Sequence, residues 1–290
     1  MPTTIDGMAV VTGGWHTRRS ARRLADAAGR AALQECGGGA PEVDLLVNAG
    51  LYHDRNMGEP ALAPLIQEDI GANPSDPYPG GAGTFSFDVA NGSAGVLSAL
   101  QVVDGFVRAG TVATALIVAS DADPGHGLAP GFPFSPAGGA LVCRRRDGPG
   151  GVGRARWCNR PDGGDSFRTT VGMRSGRNVL VVDRVPGYAD RLTDASSVAV
   201  AAVMEDEELA AGDVDVVLVS PGLPELVTGL AARTGIAADR FVAAAEGLHT
   251  VAPIAVFDAA RRRNRIAPGT TVLLVAGGAG VTAGAVVYRA

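Results

Sequence analysis

Apolar positions along this chain fall into two alternating rhythms. Short runs of aliphatic and β-branched residues, such as Val43-Asp-Leu-Leu-Val47 and Val214-Asp-Val-Val-Leu-Val219, read as buried strands. Longer stretches with an apolar residue every three or four positions read as helices. Their alternation points to an α/β protein with largely parallel strands.

The order of elements then repeats. A helix from Thr17 to Glu35 leads to the strand at Val43, and a helix from Thr193 to Ala211 leads to the strand at Val214. The stretch Val96 to Ala119 corresponds to Pro253 to Ala276, each predicting a long helix, a glycine turn and a short strand. Both halves close on a glycine-led edge strand, Gly138-Gly-Ala-Leu-Val142 and Ala283-Gly-Ala-Val-Val287. Internal duplication of about 150 residues is the simplest explanation. The join falls within Arg144 to Arg160, giving an N-terminal half over 1–150 and a C-terminal half over 151–290.

The chemistry concentrates at Asn91-Gly-Ser-Ala-Gly95, between a strand-like run, Thr84 to Val89, and a helix-like run, Val96 to Arg108. A helix N-terminus turns unpaired N–H groups and roughly half a positive charge outward, which favours a nucleophile and the oxyanion beside it. Ser93 is the candidate nucleophile. A serine is also a favoured helix cap, so capping alone is the competing reading. The stretch is similar to a Gly-x-Ser-x-Gly elbow, but Asn91 occupies the first glycine position and the spacing to an acid and a histidine fits poorly. The helix after Gly95 is apolar on most sides, which predicts burial beside its counterpart near Pro253. That pairing would bring the loop Ala245-Glu-Gly-Leu-His-Thr250 close to Ser93.

Composition narrows the alternatives. With 46% hydrophobic residues and mean hydropathy +0.16, the chain can bury one large core or two intimate halves. A net charge of −5 without a block of like charges argues against nucleic acid as a partner. Cys36, Cys143 and Cys158 lack the spacing of a zinc site or a disulfide framework, so no metal is expected. No signal peptide and no membrane span is legible, which predicts a cytoplasmic protein. Gly277 to Gly280 contains a weak dinucleotide fingerprint, but it precedes a strand instead of opening a helix.

Phe87-Asp-Val-Ala-Asn-Gly-Ser-Ala-Gly95 and Ile266-Ala-Pro-Gly-Thr-Thr-Val-Leu-Leu-Val-Ala-Gly-Gly-Ala-Gly-Val-Thr-Ala-Gly284 resemble the thiolase fold, and within it the β-ketoacyl-acyl-carrier-protein synthases of type III. The resemblance covers residues 17–290 and implies two pseudo-duplicated βαβ half-domains in a layered α/β/α/β/α arrangement. Ser93 then stands where the family has its nucleophilic cysteine, either as the native residue or as an engineered replacement. The family histidine falls near Pro221, where there is none, and the family asparagine falls around Gly247 to His249. His249 becomes the expected general base. The Ser93 amide and the backbone of Gly278, Ala279 and Gly280 are the expected oxyanion donors. His53 and Asn91 are expected substrate contacts, whereas His16 and His126 rank lower. Arg18, Arg19, Arg22 and Arg23, or Arg261, Arg262 and Arg263, could meet a CoA phosphate or an acidic carrier protein; a solvated helix face is the default.

The resemblance implies an acyltransferase or condensing enzyme in polyketide or fatty-acid-type biosynthesis. It would form an acyl-enzyme from an acyl-carrier-protein or CoA thioester and need no other cofactor. It would work as a homodimer, or as a heterodimer with a ketosynthase. The alternatives are a non-catalytic, chain-length-factor-like partner of an active ketosynthase, and a thioesterase.

Overall fold

The computed structural model of the chain describes residues 2–13, 20–73, 83–124 and 132–290. The N-terminal half contributes β1 (Thr3–Thr12), α1 (Ala21–Glu35), β2 (Leu45–Asn48), α2 (Leu62–Ile70), β3 (Phe85–Asp88), α3 (Gly95–Arg108), β4 (Thr114–Asp121) and β5 (Ala137–Arg145). Of the helix expected from Thr17, the described part begins at Ala21, where the Ser20 hydroxyl caps it by accepting the Arg23 N–H at 3.2 Å. Two short strands, β6 (Gly151–Val152) and β7 (Arg156–Asn159), and a hairpin, β8 (Phe167–Arg174) with β9 (Arg177–Arg184), follow. The chain then runs through α4 (Tyr188–Asp206), β10 (Val216–Ser220), α5 (Pro224–Thr234), β11 (Phe241–Ala243), α6 (Ala252–Arg262), β12 (Thr271–Gly278) and β13 (Thr282–Arg289).

Among the described residues the strands form a five-stranded sheet, ordered β1-β5-β4-β2-β3, and a six-stranded sheet, ordered β11-β10-β12-β13-β6 with β7 also paired to β13; β8 and β9 pair with each other. The second repeats the plan of the first, β10, β11, β12 and β13 taking the places of β2, β3, β4 and β5. The strands are not largely parallel. β2 pairs in parallel with β3 and β4, but β5 runs antiparallel to β4 and β1, and β13 antiparallel to β12, β6 and β7. β4 and β12 return through loops without a crossover helix, and a direct return reverses direction. Nor are β5 and β13 edges, since β1 covers the first and β6 and β7 cover the second.

Three large apolar cores separate the layers, with a small fourth cluster of Ala21, Leu24 and Ala122 beside them. The central one joins Leu45, Leu97, Leu100 and Ile117 to Leu218, Ile254 and Leu274, so α3 and α6 lie between the two sheets. α1 and α2 cover the outer face of the first sheet, and α4 and α5 that of the second. Burying each such leucine or isoleucine contributes about 1.5–3 kcal/mol. Every residue of β2 and β4 is buried, which accounts for their unbroken apolar runs. Packing α3 beside α6 brings both helix N-termini to one end of the molecule, and the candidate residues stand there.

Candidate active site

β3 ends at Asp88, and the chain enters α3 through a single 3-10 turn, Gly92–Ala94. Gly92 takes a left-handed φ of 52°, which turns the chain sharply enough to bury Ser93. The Ser93 hydroxyl donates to the Gly277 carbonyl near the end of β12, just before the turn into β13. That turn lies directly on the serine turn. A Cβ on Gly278 would stand 2.9 Å from both the backbone oxygen and Oδ1 of Asn91, so only glycine permits the approach.

The loop before α6 arrives from the other half. Asp121, the last residue of β4, accepts the backbone N–H groups of His249 and Thr250 at 2.8 and 2.9 Å and the Thr250 hydroxyl at 2.7 Å. His249 is thereby fixed with one face stacked on Phe134, ring centroids 4.4 Å apart. Its Nδ1 stands 2.7 Å from the Tyr52 hydroxyl. Its Nε2 faces the serine turn: a Cβ on Gly92 would stand 3.4 Å from Nε2 and 3.2 Å from the Ala279 backbone nitrogen. Burial pushes the His249 pKa down to about 4; the Asp121 carboxylate opposes this shift and the Arg184 guanidinium adds to it. The imidazole is therefore neutral near pH 7.

The structure brings Ser93, His249 and the glycine turn together, but not in every expected relation. Among the described residues no hydrogen bond joins Ser93 to His249, whose ring nitrogens face Tyr52 and the space at Gly92. Gly280 donates its N–H to the Phe167 carbonyl at 3.3 Å, and the Gly278 carbonyl accepts from the Tyr188 hydroxyl at 3.2 Å. Ala279 is the member of that turn whose nitrogen flanks Gly92. Asn91 is engaged in the turn itself, its amide donating to Ser98 Oγ at 3.0 Å.

His53 does not join the cluster. Its Nδ1 meets the Met57 carbonyl at 3.0 Å, its Nε2 lies 3.5 Å from Asp88, and it lines a separate cavity of about 170 Å³ with Arg22, Asp54 and Arg55. Neighbouring side chains of an extended segment point to opposite sides, and it is Tyr52 that turns inward. At the position expected for the family histidine, Ser220 ends β10 opposite Ala276, followed by Pro221. Arg22 pairs with Asp69, Arg261 with Glu35, and Arg262 with Asp258. His16, His126, Arg18 and Arg19 lie outside the described residues. Cys36, Cys143 and Cys158 are free thiols. The described residues hold no His, Cys, Asp and Glu cluster suited to a metal ion, and no helix long and apolar enough to cross a membrane.

Tyr52, Asp121, Phe134 and Arg184 were not singled out by the sequence. Each acts on the site through a partner distant in the chain.

Comparison with known proteins sharpens this picture. The family model for the 3-oxoacyl-[acyl-carrier-protein (ACP)] synthase III C terminal matches residues 204–290. The beta-ketoacyl-[acyl-carrier-protein] synthase III of Rhodospirillum rubrum is 30% identical over 293 aligned positions, covering 92% of this chain and 83% of the relative. The chain belongs to the beta-ketoacyl-[acyl-carrier-protein] synthase III family. The synthase III of Anaplasma marginale is 26% identical over the same shares of both chains. Among solved structures, the synthase III of Pseudomonas aeruginosa superposes with a TM-score of 0.83 at 21% identity, covering 100% of this chain and 98% of that one. A cysteine-to-serine variant of Xanthomonas campestris OleA, with bound lauric acid and lauroyl-CoA, gives 0.83 at 14% identity over 100% and 99%. These likenesses establish the thiolase-like fold of this synthase III family member.

Proposed function

We propose that this synthase III family member is an acyl-transferring condensing enzyme in which Ser93 accepts an acyl group from a thioester and passes it to a second nucleophile. The observation that carries the reading is the juxtaposition at Gly92. The buried Ser93 follows Gly92, whose α-carbon is approached by both the Ala279 backbone nitrogen and His249 Nε2. The N-terminal end of a buried helix favours negative charge at that point, and one well-placed donor to an oxyanion is typically worth about 10²- to 10³-fold in rate.

In the acylation step the bond from Ser93 Oγ to the thioester carbonyl carbon forms and the carbon–sulfur bond breaks. The Ser93 proton leaves with the thiol. The bond from Oγ to the acyl carbon then breaks as that carbon bonds to the second nucleophile, and the proton the nucleophile gives up restores the Ser93 hydroxyl. The donor in this reading is acyl-CoA or an acyl carrier protein, with the pantetheine thioester as substrate and no further cofactor. The pathway would be of the polyketide or fatty-acid type and its setting the cytoplasm. β3 is a sheet edge carrying the exposed Phe85, and an edge of that kind suits pairing with a second subunit.

Thiol release from acetyl-, octanoyl- and lauroyl-CoA, followed colorimetrically, tests the reading. Release by the native chain that disappears in Ser93→Ala supports it. Equal release by both proteins contradicts it.

A further inference from the structure

The buried contact between Tyr52 and His249 has no counterpart in the mechanism described so far. Tyr52 is 3% exposed and lies among Phe132 and Phe134, with ring centroids at 5.1 and 5.8 Å. Its hydroxyl stands 2.7 Å from His249 Nδ1. A hydrogen bond between a neutral phenol and a neutral imidazole can run in either direction, so the surroundings choose. Among the described residues, Nδ1 is the hydrogen-bond partner of that hydroxyl. Were Nδ1 to hold the proton, the phenol would accept and its own O–H would be left buried against aromatic carbon. Donation from Tyr52 leaves both groups satisfied. Burial, reinforced by the Asp121 charge, also raises the Tyr52 pKa and keeps its proton in place.

We propose that Tyr52 is a positioning residue: it donates its O–H to His249 Nδ1 and so holds the imidazole in the tautomer that carries its proton on Nε2. His249 then meets the substrate as a hydrogen-bond donor, not as the base that removes the Ser93 proton. Nε2 and the Ala279 nitrogen both lie beside Gly92, next to Ser93, and a donor there would stabilise the charge that the thioester carbonyl oxygen gains as Ser93 attacks. With no base on His249 to receive it, the Ser93 proton rests on the Gly277 carbonyl. Proton balance is kept, because the Ser93 proton departs with the thiol and His249 retains its own throughout. The catalytic part of the inference rests on Ser93 being the acyl acceptor.

Long-range ¹H–¹⁵N correlation on protein labelled with ¹⁵N-histidine reads the tautomer directly. The chain has 4 histidines, and His249→Gln assigns the signal. The expected spectrum of the native protein shows His249 with a protonated Nε2 and an unprotonated, hydrogen-bonded Nδ1 near neutral pH. In Tyr52→Phe that preference is lost, and thiol release from the three acyl-CoA probes falls about 10- to 100-fold, the range typical of losing an orienting partner. A native spectrum with the proton on Nδ1 overturns the proposal, and needs no variant to fold. An unchanged tautomer in folded Tyr52→Phe overturns the role of Tyr52. The expected spectrum without acylation of Ser93 by any thioester leaves the hold of Tyr52 on the tautomer standing and refutes the acyl-acceptor reading instead.

Discussion

Asp121 accepts the backbone N–H of His249 at 2.8 Å, so the end of a strand in one sheet holds the loop that carries the site histidine from the other half. The same carboxylate takes the Thr250 N–H and hydroxyl at the entrance to α6. It acts there as a helix cap supplied from outside the helix. Asp121→Ala leaves several buried donors unpaired, and the expected loss of stability is about 2–4 kcal/mol. Denaturant unfolding checks this, and Asp121→Asn, which retains one acceptor oxygen, should lose less.

Gly92→Ala tests the space at the centre of the site. The residue would have to hold a left-handed φ of 52° and place its methyl 3.2 Å from the Ala279 nitrogen and 3.4 Å from His249 Nε2. The methyl would occupy the space assigned to the reacting oxygen. Thiol release should fall by about 10²-fold or more. Circular dichroism and an unfolding curve should show a folded protein, with the cost of backbone strain about 1–3 kcal/mol.

Acid should weaken the fold through His249. Its folded-state pKa of about 4 lies below the usual 6.5, so on acidification the unfolded chain takes up this proton first. The stabilisation from keeping the ring neutral is complete above pH 6.5 and is lost as pH falls toward 4, by about 3 kcal/mol in all. Unfolding free energies at several pH values in this window should fall more steeply for the native protein than for His249→Gln. Parallel profiles would contradict the assignment.

Asp26 should act with the opposite sign. Burial and a hydrogen bond to Asp69 push its pKa up to about 8, while Arg22 holds Asp69 below the usual carboxylate range. The Asp26 contribution is complete below pH 3.8 and is lost as pH rises through about 8. Asp26→Asn removes the ionisation. Its stability relative to the native chain should therefore improve as pH rises from about 4 to about 8 and level off above that.

Much of this architecture was legible because it is periodic. The paired helices and strands of the two halves, and the serine turn lying against the glycine turn, follow from apolar rhythm and from small residues where backbones approach. The β8–β9 hairpin escaped notice because Arg168, Val171, Met173 and Arg177 stand in solvent and its buried positions, Phe167, Val179 and Leu180, follow no strict alternation. The start of α4 at Tyr188, ahead of the expected Thr193, follows the left-handed Gly187, with φ 81°. β1 was missed, and with it the fact that β5 is internal. At the site, Ser93 was singled out from local sequence and His249 from the pairing of the two long helices together with the family resemblance, while Tyr52, beside His53, was passed over. Only the direction of the side chains in the fold separates those neighbours, because the partner of Tyr52 lies 197 residues away.

Intact-protein mass spectrometry after incubation with acyl-CoA and acyl-carrier-protein thioesters tests the central claim most directly. The native chain should gain the mass of one acyl group, and Ser93→Ala should gain none. An acyl adduct of equal yield on Ser93→Ala, or no adduct on a folded native chain with any thioester while Ser93→Cys acquires one, would contradict Ser93 as the acyl acceptor.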